Sequence, residues 1–218
     1  MTPKGRTNGT PPSRPARAPL DRGQIVSAAL ALIDADGLPK FSMRRLGAAL
    51  GVDPMAVYRH VADQEALFDG IAEAIFDEVD VASLPWDGTW RELAERYCHR
   101  LRDALLRHPH AVTIFATRPV RSPASIDAGV AMVTRLQDAG FAPDAGLRII
   151  RCLREYTLGH ALSVAVLRLG AGARSRRPAP GTPDYNLLAE AADATEPGDH
   201  FEVGLTAILT AFTPAGGA

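Results

Sequence analysis

The sequence is poor in cysteine, has no long apolar run and carries no excess of either charge. Cys98 and Cys152 are the two cysteines among 218 residues, too few for a disulfide framework. Both lie in apolar stretches typical of helices, so we expect reduced, partly buried thiols in a cytoplasmic protein. No apolar run approaches the ~18–20 residues that span a bilayer, and the N-terminal MTPKGRTNGT lacks the apolar core of a secretory signal. We therefore expect no membrane partner.

The charge is balanced overall but divided along the chain. With 24 Lys plus Arg against 25 Asp plus Glu the net charge is −1, which excludes a histone-like protein and an acidic disordered one. The first 62 residues nevertheless hold nine basic and four acidic residues, a net charge of +5, so the remainder carries −6. A basic head indicates a polyanionic partner, although a solvated basic surface would give the same count.

Signatures of catalysis and of metal binding are missing. The chain has no His-Glu-x-x-His, Cys-x-x-Cys or Gly-x-Ser-x-Gly motif and no glycine-rich phosphate loop. The closest pair among six histidines, His108 and His110, flanks Pro109, where a surface role is favoured over a metal site. We expect no enzyme, no metal site and no cofactor. The alternatives are an all-α enzyme, a metal sensor, and a regulator that acts through a protein partner.

Proline spacing and apolar periodicity predict an all-α fold. Residues 1–20 hold five prolines, four basic residues and no acid, and we expect a disordered basic tail. Beyond them, prolines separate segments with 3.6-residue periodicity, as expected where proline is tolerated only in the first helical turn. We predict a flexible linker at 170–183 and helices at 21–36, 42–51, 53–60, 63–79, 89–107, shortly after 109, 123–139, 143–169 and 198–212.

The stretch SMRRLGAALGVDPMAVYRHVADQEA, residues 42–66, predicts a helix-turn-helix. Gly51 lies where the turn needs a positive φ, and Val52 is the apolar residue that buries the turn. Val57 and Val61, four residues apart, face inward. The other side of the second helix is therefore exposed, and it carries a tyrosine and an arginine. The helix is also short enough to enter a DNA major groove, which is about 12 Å wide.

These motifs resemble the tetracycline-repressor family of bacterial regulators. The resemblance lies in Arg-Arg-Leu-Gly-x-x-Leu-Gly-Val at 44–52 and Val-Tyr-Arg-His-Val at 57–61, and continues more faintly through Trp-Arg-Glu-Leu at 90–93, Leu-Leu-Arg-His-Pro at 105–109, Thr-Arg-Pro at 117–119, Ala-Gly-Phe at 139–141 and Tyr-Thr-Leu-Gly at 156–159. It implies a ligand-responsive, DNA-binding transcriptional regulator, with a DNA-binding domain at 21–66 and a helical effector-binding and dimerisation domain at 67–218.

The resemblance also implies which residues contact DNA. Arg44 would read a base edge such as guanine, and Met55, Ala56 and Arg59 would read bases by apolar and polar contact. Phosphates would be bound by Tyr58 and His60. The complete set expected at the DNA is Met43, Arg44, Arg45, Pro54, Met55, Ala56, Tyr58, Arg59, His60 and Gln64. Arg14 and Arg17 of the tail either reach a minor groove or remain solvated.

The effector implied by the resemblance is a small molecule, but metal-chelated tetracycline does not fit. Where tetracycline repressors place a histidine, an asparagine and a metal-binding histidine, this chain has Asp80, Tyr97 and Ile114. An apolar or aromatic compound is expected instead. The residues expected to line its pocket are Tyr97, Ile114, Arg118, Tyr156 and His160.

A homodimer that binds a palindromic operator and leaves it on ligand binding completes what the resemblance implies. The apolar stripe of the last helix independently predicts either a dimer interface or a core role within one subunit. The residues expected at the interface are Leu158, Leu162, Leu205, Ile208, Leu209 and Phe212.

Overall fold

The computed structural model describes residues 20–118, 120–170, 187, 190–191, 194 and 199–214, and its regular elements there are all helical. The predicted all-α fold is confirmed. The helices with described bounds, α1 to α9 in chain order, are Arg22–Asp36, Met43–Leu50, Pro54–Tyr58, Gln64–Asp77, Trp90–Arg107, Val112–Thr117, Pro123–Asp138, Pro143–Arg168 and Asp199–Ala211. The tail predicted at 1–20, with Arg14 and Arg17, lies outside the described residues except for Leu20, as does the predicted linker beyond Gly170. No described helix is both long and apolar enough to cross a membrane.

Local capping signals explain where the helices begin. Asp21 and Thr89 form capping boxes at the starts of α1 and α5. In each, the side chain of the capping residue accepts the backbone N–H of the third helical residue, whose side chain accepts the backbone N–H of the capping residue. Proline occupies the first position of α3, α7 and α8. The helix predicted to run to His60 is shorter, because α3 ends at Tyr58 and its cap at Arg59 bonds back to Val57.

The first four helices enclose one part of the core. Ile25 and Ile33 of α1, Leu46 of α2, Val57 of α3 and Leu67 of α4 are each fully buried. Full burial of such side chains contributes about 1.5–3 kcal/mol each. The short helices α2 and α3 are therefore held by their apolar sides against the longer α1 and α4.

Helices α5 to α9 enclose the rest of the core, with α8 packed along α5 and α7. Leu101 of α5, Phe115 of α6, Ile149 of α8 and Phe201 of α9 are almost wholly buried here. Helix α4 contacts both α1 and α6, so it links the two parts of the protein.

The two cysteines differ in exposure. Cys98 is buried on α5, and burial raises the pKa of its thiol to about 11, so it stays protonated at neutral pH. Cys152 on α8 is exposed, so the prediction that both thiols are partly buried is wrong for this residue. The apolar stretch in which it lies also contains an outward-facing side of the helix, which composition alone does not reveal.

Candidate functional site

The turn between α2 and α3 depends on two glycines. Gly51 has φ +66, in the left-handed region that glycine adopts without steric cost. Gly47, inside α2, faces the start of α3: a Cβ here would lie 3.1 Å from both the Pro54 nitrogen and the Val52 carbonyl oxygen. Because these are backbone atoms, α2 and α3 approach each other more closely than a side chain at residue 47 allows.

Helix α3 is anchored on one side and exposed on the other. Val57 is fully buried and Val61, just beyond the helix, is almost so, as predicted. Met55 is 66% exposed and Tyr58 40% exposed, and Arg59 is exposed beside them. The Asp53 side chain accepts the Met55 N–H at 2.7 Å and fixes the start of the helix. The result is a short, firmly held helix whose outer side is free to enter a groove.

The other residues expected at the DNA differ in what they can offer. His60 and Gln64 are exposed, whereas Pro54 and Ala56 are half-buried. Met43 is buried in the core, so only its backbone, in the first turn of α2, remains for a phosphate.

The two arginines of α2 have different surroundings. Arg44 is exposed and makes no ion pair within the described residues. Arg45 donates hydrogen bonds to the Asp36 carboxylate and, at 2.9 Å, to the Lys40 carbonyl. Arg45 therefore ties α2 to the end of α1, while Arg44 keeps its donors for a ligand.

A cavity of about 460 Å³, which we call the body cavity, opens among α4, α5, α6, α7 and α8. A volume of this size suits a small organic ligand. The residues that line it are Phe76, Tyr97, Phe115, Ala116, Thr117, Arg118, Val120, Ser125, Ala128, Gly129, Met132, Ile150, Arg151 and Arg154. Aromatic and aliphatic side chains form most of this wall, and arginines provide its charge.

Of the residues expected in a ligand pocket, the structure brings Tyr97 and Arg118 to the body cavity. Ile114, which precedes the lining residue Phe115 on α6, is buried and does not line the cavity. Tyr156 and His160 do not line this cavity: they lie on another side of α8 and contact α9, and their place in a ligand site stays a prediction. The Tyr156 ring stacks on Phe201, and the His160 ring centroid lies 4.7 Å from that of the same phenylalanine.

Arg151 and Arg154 were missed by the sequence reasoning, although both line the body cavity. Their spacing of three residues on a helix places them on one side of α8. The signal was present in the sequence as arginines repeated every three residues, at 148, 151 and 154, in the first half of α8. The direction they face depends on α5 and α9, which cover the other sides of α8 and lie far away in the chain.

Arg118 joins the body cavity to α4. Its side chain is 16% exposed and forms ion pairs with Glu65 and, at 2.8 Å, with Asp69. It also donates to the Glu65 carbonyl at 3.1 Å. These partners lie in the first two turns of α4, which begins six residues after α3 ends. A residue in the cavity wall is thereby tied to the helix that follows the exposed α3.

A second polar cluster joins α1, α4 and the end of α5 around His108. Its Nδ1 lies 2.7 Å from Asp34 and its Nε2 lies 2.8 Å from Glu78, which also accepts from Arg107 at 2.6 Å. Burial alone would lower the pKa of His108, but hydrogen bonds and the charges of the two carboxylates outweigh it and raise the pKa. The cluster favours the imidazolium and holds the ends of three helices together.

The residues expected at a dimer interface divide into two groups. Leu158, Leu162, Ile208 and Phe212 are half-buried. Leu205 and Leu209 are buried in the core of their own subunit, so their side chains are not available to a second chain. For these two the interface prediction is wrong and the core alternative describes them.

At the positions where tetracycline repressors contact their ligand, this chain has the side chains of Asp80, Tyr97 and Ile114. Asp80 is paired with Arg100 at 3.2 Å in the segment between α4 and α5, with φ +50. Ile114 offers no metal ligand. Within the described part of the chain, no three His, Cys, Asp or Glu side chains come together in a group that could hold a metal ion.

Comparison with known proteins agrees with this geometry. Residues 25–71 match the family model described as bacterial regulatory proteins, tetR family. Residues 83–212 match the model described as tetracyclin repressor-like, C-terminal domain.

Among curated relatives, an HTH-type transcriptional regulator of Saccharopolyspora erythraea is 32% identical, with 68% of this chain aligned; the chain spans 63% of that relative's length. The class A tetracycline repressor from transposon 1721 of Escherichia coli is 29% identical over 87% of this chain and 89% of its own.

Solved structures give the same picture. A possible TetR family transcriptional regulator from Streptomyces coelicolor A3(2) superposes with a TM-score of 0.75 at 31% identity, covering 87% of this chain and 97% of that one. ActR of Streptomyces coelicolor in complex with actinorhodin superposes with a TM-score of 0.71 at 27% identity, covering 88% and 96%.

Proposed function

Because the chain belongs to the tetR family of bacterial regulatory proteins, we propose that it is a transcriptional repressor that a small molecule releases from a palindromic operator. The observation that carries this function is the geometry of α3. Val57 and Val61 anchor it, while Met55, Tyr58 and Arg59 project outward. TetR-family regulators are DNA-binding proteins without catalytic activity, and we extend that to this chain. We propose the cytoplasm as its location, because the proposed partner, chromosomal DNA, lies there.

Base reading is assigned to α3 together with Arg44. Arg44 and Arg59 are exposed and have no carboxylate partner among the described residues, so their donors are available to base edges or phosphates. Tyr58, His60 and Gln64 supply phosphate contacts around them. We place the DNA-binding domain at 21–66 and the effector and dimerisation domain at 67–218.

Dimerisation is assigned to the outer sides of α8 and α9. No Asp, Glu, Lys or Arg occurs between Tyr156 and Leu167, and the half-buried Leu158 and Leu162 lie in this stretch. On α9 the outward Val203 is 68% exposed. An uncharged surface shared by two helices suits the four-helix contact of a symmetric dimer, in which each patch meets its own copy. Such a dimer presents two copies of α3 to a palindrome.

Release of the operator is assigned to the link between the body cavity and α4. Arg118 lines the cavity and holds Glu65 and Asp69, so a ligand that moves Arg118 also moves the start of α4. Because α3 directly precedes α4, this motion changes the distance between the two recognition helices, which must be about 34–36 Å apart. The ligand shifts this equilibrium only by its differential affinity for the two states, typically about 1–3 kcal/mol.

Selection of genomic DNA fragments with the purified full-length protein tests the function. We expect one palindromic site to be enriched, and we expect Arg44→Ala and Arg59→Ala to weaken binding by roughly fivefold to 150-fold, since each base contact contributes about 1–3 kcal/mol. Arg148→Ala is the matched control, because Arg148 is an exposed arginine of α8 paired only with Asp144. Recovery of no palindrome would contradict the proposed function. Selection by both variants that equals that of the wild type would contradict the assignment of Arg44 and Arg59 as base-reading residues.

A further inference from the structure

The body cavity carries an uncompensated positive charge. Its three arginines are not equivalent, because Arg118 is neutralised by Glu65 and Asp69. Arg151 and Arg154 make no ion pair within the described residues, and no Asp or Glu is among the residues that line the cavity. Arg151 is exposed and Arg154 half-buried, so both guanidinium groups keep donors that an anion in the cavity can take as hydrogen bonds.

Tyr97 adds a hydrogen-bond donor to the wall of the body cavity. Its side chain belongs to a residue only 7% exposed, and it lines the body cavity. No hydrogen bond from its hydroxyl to any described residue is present. The Tyr97 oxygen is not one of the fully buried polar atoms without a partner, so it keeps some exposure toward the cavity, where a ligand acceptor can take its hydrogen bond. Burial raises the pKa of Tyr97 to about 12, so the hydroxyl keeps its proton and donates.

The rest of the wall combines aromatic and aliphatic side chains. Its apolar lining includes Phe76, Phe115 and Met132. The guanidinium carbon of Arg154 lies over the Phe115 ring, 5.5 Å from its centroid, which is within the range of a cation–π contact. Charge and apolar surface are thus combined in one site.

From these three observations we infer that the effector is an anionic aromatic compound: its acid group pairs with Arg151 and Arg154, its ring packs on Phe76 and Phe115, and one of its oxygens accepts a hydrogen bond from the Tyr97 hydroxyl. The inference names the ligand class of the cavity assigned above and rests on the proposed function. Recognition of the anion is direct and uses no bridging metal ion.

Titration calorimetry with a matched pair of probes tests the ligand class. The full-length protein is titrated with anthraquinone-2-carboxylate and with its uncharged carboxamide, which has nearly the same shape. We expect the carboxylate to bind at least about tenfold more tightly, equivalent to about 1.4 kcal/mol. Decanoate, an anion without a ring, is expected to bind at least about tenfold more weakly than the aromatic acid.

Variants locate the binding site. The double variant Arg151→Gln, Arg154→Gln is expected to remove the preference for the acid while binding of the carboxamide stays within about twofold. Tyr97→Phe is expected to weaken the acid by severalfold, and Arg148→Gln, outside the cavity on the same helix, to leave it unchanged. Retained carboxamide binding shows that the double variant is folded.

Four outcomes would overturn the inference: equal binding of acid and amide, acid binding unaffected by the double variant, decanoate binding as tight as the aromatic acid, or no binding of any probe at about 1 mM. Failure of the proposed function is measured separately by the fragment selection. A protein that selects a palindrome but ignores the anion refutes only the ligand class, and one that binds the anion through these arginines but selects no palindrome refutes only the regulator.

Discussion

Replacing Gly47 tests how closely the crossing of α2 and α3 controls the recognition helix. A Cβ at residue 47 would lie 3.1 Å from the Pro54 nitrogen and 3.2 Å from its Cα, both in the backbone of α3. Alanine gains about 1 kcal/mol of helix propensity over glycine. It loses a comparable amount because α3 must move by a few tenths of an ångström. We therefore expect Gly47→Ala to change the free energy of unfolding by less than about 1 kcal/mol.

Gly47→Val places a larger side chain against the backbone of α3. It should therefore show the cost of the steric overlap apart from the gain in helix propensity. Valine is also a better helix former than glycine, by about 0.3 kcal/mol, but overpacking at a rigid contact costs about 1–3 kcal/mol. The net loss should lower the unfolding temperature by roughly 1–11 °C, since 1 kcal/mol corresponds to about 2–4 °C in a domain of this size. Operator affinity should fall in the order wild type, alanine, valine.

Thermal unfolding and fluorescence anisotropy with the selected operator measure both quantities. Gly129→Ala on α7 is the matched control, because a Cβ there meets no atom within 4 Å, and it should gain about 0.5–1 kcal/mol from propensity alone. Wild-type stability and wild-type DNA affinity in Gly47→Val would refute the close approach and the role given to it.

Three further predictions follow from the contacts of single side chains. Because the pKa of His108 is raised from 6.5 in the folded state, its contribution is full below the unfolded pKa and is lost as pH rises through the folded pKa; the unfolding temperature should fall as the pH rises above 6.5, and less so in His108→Gln, as measured by calorimetry. A Cβ at Gly204 would lie 2.7 Å from Cζ of Tyr156, whose hydroxyl donates to the carbonyls of His200 and Phe201. Gly204→Ala should break this one shared hydrogen bond, which costs about 1 kcal/mol against a gain of similar size in helix propensity, so the change should be clearly more stabilising in a Tyr156→Ala background; additive effects would contradict the contact. Val203→Asp should shift sedimentation toward the monomer by placing a charge on the uncharged side of α9, whereas Ala35→Asp, also exposed, should not; a dimer retained in Val203→Asp would place the interface elsewhere.

Features encoded by neighbouring residues were predictable from the sequence. The capping residues Asp21, Asp53 and Asp63 each accept the backbone N–H that their position predicted. The turn at Gly51 and the inward Val57 follow from local periodicity in the same way. The fold class and the recognition helix depend on such signals.

Features that depend on distant contacts were not predictable in this way. Tyr156 and Arg154 lie two residues apart on α8, yet the first contacts α9 and the second faces the body cavity. The apolar stripe of α9 was recognised correctly, but periodicity does not say which surface covers it. Leu205 and Leu209 are covered by their own subunit, and only the packed structure distinguishes that core from an interface.

Hydroxyl-radical footprinting of the full-length protein on the selected operator tests the central claim most directly. A homodimer that presents two copies of α3 should protect two half-sites whose centres lie about 10–10.5 base pairs, or 34–36 Å, apart or a multiple of that distance. The pattern should be symmetric about the palindrome, and Arg59→Ala should weaken both half-sites equally. One protected segment without symmetry, or no protection at all, would contradict a dimeric repressor that reads DNA through α3.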